Sequence, residues 1–232
     1  MSDRVFVLVH SPAVGPRTWS DVAAELRLAG NTVLVPSLLP MVTALPPFWP
    51  EAVRCVRESL LDVRDDADVT LVLHSNAGLL APVLVDGLGR RVDAVVFVDA
   101  GLPGLEGPTP MAPAAFLPFL RDKSENGMLP LWTDWWDESD VAALFPDERT
   151  RREVSEEQPR LPLAYFEAMI PQVPGWDQGR CGYVLFNEAY RQEALDARAR
   201  GWPVREVKGE HLHMLVDPAA TAGAITDVSA ES

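Results

Sequence analysis

The sequence is short of several things, and each scarcity excludes something. Two cysteines, Cys55 and Cys181, stand far apart in 232 residues. They match no metal-ligand spacing and read as reduced thiols in a cytoplasmic protein, although a lone pair leaves one disulfide open. Positive charge is scarce: 20 Lys and Arg against 34 Asp and Glu, a formal charge of −14. That disfavours nucleic acid and anionic membrane surfaces as partners. No apolar run reaches the roughly 20 residues of a membrane span, and nothing before Val5 resembles a signal peptide. Internal repeats and low-complexity tracts are also lacking. No metal and no organic cofactor is called for by any motif. A homodimer stays open.

What is present is a 47% apolar composition, ample for one core and modest for two. The 21 prolines are about twice the usual share and imply long, shaped loops. Val5 to Val9 is a continuous apolar run, as befits a strand buried on both faces. His10 to Pro16 is a loop. Thr18 can cap a helix whose apolar positions Trp19, Val22, Ala23 and Leu26 recur at helical spacing, with Gly30 as its stop. Thr32 to Val35 is a second strand, which completes a βαβ unit and implies a parallel sheet. Residues 36–50 are a proline-rich loop, and Glu51 to about Asp65 is a helix.

The most informative stretch runs from Val69 to Gly78. A β-branched and leucine run ends abruptly in His74-Ser75-Asn76, and the small Ala77 and Gly78 follow. An apolar segment of helical length, Leu79 to Leu88, comes next, with Pro82 near its first turn or at a bend. Strand, sharp turn and helix with a serine at the turn form the nucleophile-elbow pattern. Such a turn pushes the serine Oγ clear of the sheet. The N–H of Asn76 then faces the same space, ready to bind developing negative charge. The usual pattern has small residues two before and two after the serine. Ala77 fits; Leu73 does not.

Ala94 to Val98 is another apolar strand, closed by Asp99. From Leu102 to Gly179 no buried strand is expected. Eleven prolines and Trp132, Trp135, Trp136 and Trp176 lie there, with short helices at Asp137–Phe145 and Pro162–Ile170. An insertion of this length is usually functional, as a lid or binding loop. Strand Tyr183–Phe186, a charged helix from Glu188 to Arg200 and strand Pro203–Val207 resume the rhythm. Asp217-Pro218 is a good start for the terminal helix. The expectation is an α/β fold: an open, doubly wound, mostly parallel sheet of about six strands. Its core is residues 1–101 and 180–232, and residues 102–179 are a helical, Pro/Trp-rich lid.

From Val5 to about Ile225, the lid apart, the chain resembles a small member of the α/β-hydrolase family. The resemblance rests on Val9-His10 with Gly15 and Trp19, on the Leu73–Gly78 elbow, and on Gly209-Glu210-His211 seven residues before Pro218. It implies a pocket at the carboxyl ends of the strands, with Ser75 as nucleophile and His211 as general base. His213 is the less favoured base, since the spacing to the proline fits His211. His10 and His74 occupy family positions where a histidine more often holds backbone than does chemistry. For the acid the family most often uses the segment after the strand 183–186, which offers Glu188. Some lipases carry an Asp one strand earlier, where Asp99 stands. Both remain candidates for orienting the imidazole.

The oxyanion loop departs from the family. Ser11 replaces a glycine, and Pro12 stands where an N–H donor is expected, though proline has none. Either Ala13 N–H serves through a shifted loop, or Asn76 N–H acts with the Ser11 hydroxyl. Trp132 and Trp135 are expected on the pocket wall, suiting an apolar or aromatic ligand. Arg149, Arg151 and Arg152, with acidic neighbours, read as a solvated face rather than an anion site. The function implied is a serine hydrolase acting on an ester, thioester or lactone of a small, mostly apolar molecule. The alternatives are a lyase or isomerase using Ser75 and His211 for proton transfer, and a non-catalytic ligand-binding protein.

Overall fold

The computed structural model describes residues 4–231; the N-terminal residues 1–3, part of the reading against a signal peptide, lie outside them. Six strands form one parallel sheet: β1 (Arg4–Val9), β2 (Thr32–Leu34), β3 (Asp68–His74), β4 (Ala94–Val98), Arg180–Leu185 and Val204–Glu206. The inner strands are continuous apolar runs because both faces are covered. Val5, Val7, Val9, Leu71, Leu73 and Phe97 face one core cluster. Phe6, Leu8, Val72, Val96 and Val98 face the other. Helix α1 (Ser20–Leu28) and the C-terminal helix Pro218–Ala230 pack in the second cluster. Helices α2 (Trp49–Ser59) and α3 (Ala81–Gly87) pack in the first. The sheet is therefore doubly wound, as its alternating elements predict.

Several local boundaries differ from the sequence reading. Thr18 does not cap α1. A 3-10 turn, Pro16–Trp19, precedes that helix, and the Thr18 hydroxyl donates to the Gly15 carbonyl at 2.8 Å instead. Helix α2 starts at Trp49, with Pro50 in its first turn where a missing N–H costs nothing. It stops at Ser59 rather than near Asp65. The serine turn continues as a 3-10 helix, Ser75–Leu80, before α3 begins with Pro82 in its first turn.

Residues 102–179 hold more structure than expected. Their elements are β5 (Thr109–Pro110), α4 (Leu117–Lys123), α5 (Glu138–Ala142), α6 (Glu148–Glu157), α7 (Leu163–Glu167) and β6 (Met169–Ile170). Strands β5 and β6 pair antiparallel, with Thr109 and Ile170 buried; two residues are too few to show an alternating pattern. Helix α6 buries only Thr150 and Val154, so it carries no apolar stripe, but Asp147 accepts from Thr150 N–H and caps it. Leu120, Leu129, Tyr165 and Ile170 join the first core cluster, and Val154 joins the second. The remaining sheet strands are β7 (Arg180–Leu185) and β8 (Val204–Glu206), flanking helix α8 (Arg191–Ala199). The terminal helix is α9 (Pro218–Ala230), whose first turn is capped by Asp217 accepting from Ala220 N–H. The sheet order is β2-β1-β3-β4-β7-β8. Among the described residues no helix is long and apolar enough to cross a membrane.

Candidate active site

Strand register brings the site together. His74 on β3 pairs with Val98 on β4. The next residues, Ser75 and Asp99, are therefore neighbours across the carboxyl edge of the sheet, one strand spacing apart. Both have left-handed backbones, with φ of 58° and 44°. Such conformations are costly for non-glycine residues and persist where surrounding bonds hold them. Here Gly101 N–H donates to the Ser75 carbonyl at 3.1 Å, and Asp99 N–H donates to the Val184 carbonyl at 2.8 Å. A Cβ on Gly78 would lie 2.3 Å from the Gly101 carbonyl oxygen, so the turn requires glycine there. Leu73, unusual by pattern, causes no conflict: it is fully buried in the core cluster with Val9 and Phe97, its register partners.

His211 arrives on the loop after β8. Its Nδ1 lies 2.7 Å from Asp99 Oδ2, and its Nε2 lies 2.9 Å from Ser75 Oγ. The other Asp99 oxygen accepts from the N–H groups of Phe186 at 2.9 Å and Asn187 at 3.3 Å. The carboxylate is thus fully buried yet fully bonded, which removes most of the cost of burying a charge. Because the carboxylate only accepts, His211 carries its proton on Nδ1, and Nε2 presents a lone pair to the serine hydroxyl. Glu188 is not brought to His211. It is exposed on the far side of its loop, paired with Arg191 at 2.5 Å.

The other histidines bind backbone. His10 donates from Nδ1 to the Ser11 carbonyl at 2.8 Å and accepts the Leu38 N–H on Nε2 at 2.9 Å. Burial lowers its pKa to about 4. His74 donates from Nε2 to the His211 carbonyl at 3.0 Å, anchoring that loop. Burial and the nearby His211 hold its pKa well below the usual histidine value. Its ring lies 4.7 Å from that of His211, and Tyr190 stacks on His211 at 5.1 Å and 10°. His213 packs edge-on to Phe186 and does not line the cavity beside Ser75. Gly209 is required by that histidine, since a Cβ would lie 2.0 Å from His213 Nδ1.

On the β1 side, Val14 N–H bonds to the Ser11 carbonyl at 3.0 Å, closing a turn around Pro12. Ala13 N–H reaches the Ser11 Oγ at 3.4 Å. Ser11 and Ala13 line the cavity; Pro12 does not. Asn76 is the second residue of the 3-10 helix, so its N–H is among those that a helix start leaves without an intrahelical acceptor. Its side chain ties the turn to the insertion. Asn76 Nδ2 donates to the Met111 carbonyl at 2.8 Å, and Tyr165 OH donates to Asn76 Oδ1 at 2.5 Å.

The cavity measures about 740 Å³. Ser75 and His211 open into it, and the aromatic side chains of Phe116, Trp132, Trp135, Trp136, Tyr165 and Phe166 are part of its wall. Trp132 lies 6.0 Å from the His211 ring, and Trp135 is pinned by its Nε1–H to the Pro130 carbonyl at 3.1 Å. Trp176 is elsewhere, packed on Phe97 and Trp202. Arg149 and Arg151 pair with Glu153 and Glu138 within the insertion. The lining includes no Lys or Arg but does include Asp140, Glu193 and Glu210. Burial, then the nearby Asp196 and Asp99, raise the Glu193 pKa. Among the described residues no cluster of His, Cys, Asp or Glu could hold a metal ion.

Two contributors escaped the sequence reading, Tyr190 and Tyr165. A signal for Tyr190 existed: with Ala194 and Ala197 it falls at positions i, i+4 and i+7, the inward stripe of α8. Tyr165 had none, since its role depends on where the insertion folds back.

No family model matches the chain. Among curated proteins it is similar to Methylesterase 7 of Arabidopsis thaliana, 31% identical over 115 residues, 46% of this chain and 44% of that protein. It is also similar to a carbendazim hydrolyzing esterase of Nocardioides sp. (strain SG-4G), 31% identical over 107 residues, 42% of each chain. Each match spans less than half the length of the curated relative. Among solved structures, an extracellular α/β-hydrolase from a Paenibacillus species superposes with a TM-score of 0.73 at 19% identity, covering 98% of this chain and 100% of that one. With six parallel strands in this order, and an overlap along nearly its whole length with a solved α/β-hydrolase, the chain has the α/β-hydrolase fold.

Proposed function

We propose that the protein is a serine hydrolase acting on an ester of a small, mostly apolar molecule, with thioesters and lactones open to the same chemistry. The observation that carries this is the unbroken hydrogen-bonded line from Asp99 through His211 to Ser75, ending in an aromatic cavity. Ser75 Oγ attacks the carbonyl carbon while His211 Nε2 takes its proton. Asp99 holds the imidazole in the Nδ1–H form and balances the positive charge that forms. His211 then returns the proton to the departing alcohol. Water attacks the acyl-serine by the same route in reverse, and the acid leaves. The similarity to a methylesterase and to a carbendazim hydrolyzing esterase supports ester-type substrates.

Developing negative charge on the carbonyl oxygen is met by Asn76 N–H and the Ser11 hydroxyl. Ser11 Oγ already accepts from Ala13 N–H, which leaves its own proton free to turn into the cavity. Residues 102–179 serve as a lid, supplying the aromatic wall and excluding water. Lack of basic groups in the lining argues against anionic substrates. A cytoplasmic setting and a small-molecule partner, rather than nucleic acid or membrane, belong to the same proposal. They draw support from the two free, buried cysteines and the charge of −14.

One observation favours a second reading. Pro12 has no N–H, and losing an oxyanion donor costs about 3 kcal/mol of transition-state stabilisation. Elimination or isomerisation driven by His211 is less dependent on that donor. A fluorophosphonate probe tests the hydrolase reading, and turnover of simple esters that depends on Ser75 separates it from elimination. Labelling of Ser75 that disappears in Ser75→Ala and in His211→Ala is the expected result; an intact protein that does not label is not a serine hydrolase.

A further inference from the structure

The family resemblance implies an acid on the loop after β7. That loop supplies a tyrosine instead. The Tyr190 ring lies nearly parallel to the imidazole of His211, and its hydroxyl lies 3.4 Å from Ser75 Oγ. His211 Nε2 lies 2.9 Å from the same oxygen. The phenol and the imidazole therefore approach the nucleophile side by side. Sheet order decides which substituent of the reacting carbon they share. The candidate oxyanion donor Ser11 follows β1, on one flank of β3; Tyr190 follows β7, beyond β4 on the other flank. The tyrosine is thus on the side away from the carbonyl oxygen's site. A leaving-group oxygen, opposite the carbonyl oxygen and within reach of His211 Nε2, would lie on that side.

We infer that Tyr190 is a catalytic residue whose hydroxyl donates a hydrogen bond to the leaving-group oxygen. The inference rests on the ester-hydrolase reading above. In acylation the Ser75 Oγ–carbon bond forms and the carbon–alkoxy bond breaks. The electron pair of the broken bond stays on the departing oxygen, which takes the proton that His211 Nε2 removed from Ser75. Tyr190 keeps its own proton throughout. In deacylation the same hydroxyl faces the oxygen of the attacking water. The 3.4 Å contact with Ser75 Oγ is weak, so the hydroxyl turns to the departing oxygen at little cost, and the bond it donates there strengthens as charge grows, in the transition state. Burial pushes the Tyr190 pKa up to about 12, so the group is a donor across the neutral range. Such a donor matters most when the leaving group is a poor one. The site is accordingly suited to esters of simple alcohols rather than activated phenols.

The test compares the methyl and p-nitrophenyl esters of butyric acid in the wild type and Tyr190→Phe, which keeps the stacking and removes only the hydroxyl. The readout is kcat/KM, which reports events up to alcohol departure. The variant should lose about 10- to 100-fold on the methyl ester and stay within about threefold on the p-nitrophenyl ester. Its Ser75 should still label with a fluorophosphonate, whose fluoride needs no such help, at the wild-type rate. Equal losses on both esters, or slowed labelling, would mean that the hydroxyl merely positions Ser75 or His211, and would overturn the inference. Unchanged rates on both would show that it is idle. A wild type without Ser75-dependent turnover of either ester defeats the hydrolase reading itself, and this role with it.

Discussion

Asp99 and His211 are 112 positions apart in the chain and 2.7 Å apart in the structure. The carboxylate bonded to the imidazole comes from the end of β4, directly beside the strand that ends at Ser75. The loop after β7 is left to contribute Tyr190 and, on its outer surface, Glu188. Ser75 and Asp99 share a left-handed backbone, so two adjacent strands end in the same kind of turn and aim their side chains at one histidine.

Replacing each carboxylate by its amide separates the two acids. Asp99→Asn should lower kcat by about 10³- to 10⁴-fold, because the amide donates toward Nδ1 and favours the wrong imidazole tautomer. Glu188→Gln loses only an exposed ion pair with Arg191 and should stay within about twofold. Steady-state kinetics on any ester turned over by Ser75 checks both. A loss of similar size in Glu188→Gln would refute the assignment to Asp99.

Ser11→Ala tests the substitute donor. If the Ser11 hydroxyl binds the developing oxyanion, kcat should drop about 100-fold with little change in KM, since the bond matters mainly in the transition state. An unchanged kcat would transfer the role to Ala13 N–H, which the substitution frees from its 3.4 Å contact with Ser11 Oγ.

The bond from Tyr165 OH to Asn76 Oδ1 links the insertion to the serine turn. Asn76→Ala leaves a buried phenol without its acceptor and should destabilise by about 1–3 kcal/mol. In a chain of this size that is roughly 2–10 °C in melting temperature. Asn76→Ala combined with Tyr165→Phe should regain part of the loss, because the phenol is then no longer stranded and only the Met111 carbonyl still lacks its Asn76 donor. Calorimetry of the two variants measures it, and an additive double variant would show that the pair is not coupled.

Buried His10 makes stability depend on pH. Its folded pKa is about 4 against an ordinary 6.5, so between those values the unfolded chain takes up a proton that the folded one refuses. The stability due to neutral His10 is complete above pH 6.5 and is lost as the pH falls through 4, on the order of 3 kcal/mol in all. His74, shifted the same way, adds to the slope. Urea unfolding of the wild type and His10→Gln at pH 7 and pH 5 isolates the effect. The variant should show the flatter dependence whatever its absolute stability, and equal slopes would exclude His10 as the source.

Much of the architecture was legible in the sequence for a definite reason. A strand covered on both faces is mostly apolar along its length, so β1, β3 and β4 announce themselves as apolar runs, and each gives way to polar residues at its carboxyl end: His10, His74-Ser75 and Asp99. The boundaries of α2 and the existence of α4 and α6 were less legible. Proline in a first turn reads as a break, and a helix that buries two side chains has no stripe to detect.

By itself the sequence determined which strands are central, where the chain turns sharply at a serine, and which histidine stands ahead of the last helix. All of these are local patterns, written by backbone sterics and by burial on both faces. Only the tertiary structure placed Asp99 rather than Glu188 against His211, seated Tyr190 beside the same ring, and sent Trp176 to the core while Trp132 and Trp135 went to the cavity. Those choices depend on the register between β3 and β4 and on how residues 102–179 fold back over the sheet edge. They are distances between residues far apart in the chain, and no local pattern of residue types encodes them.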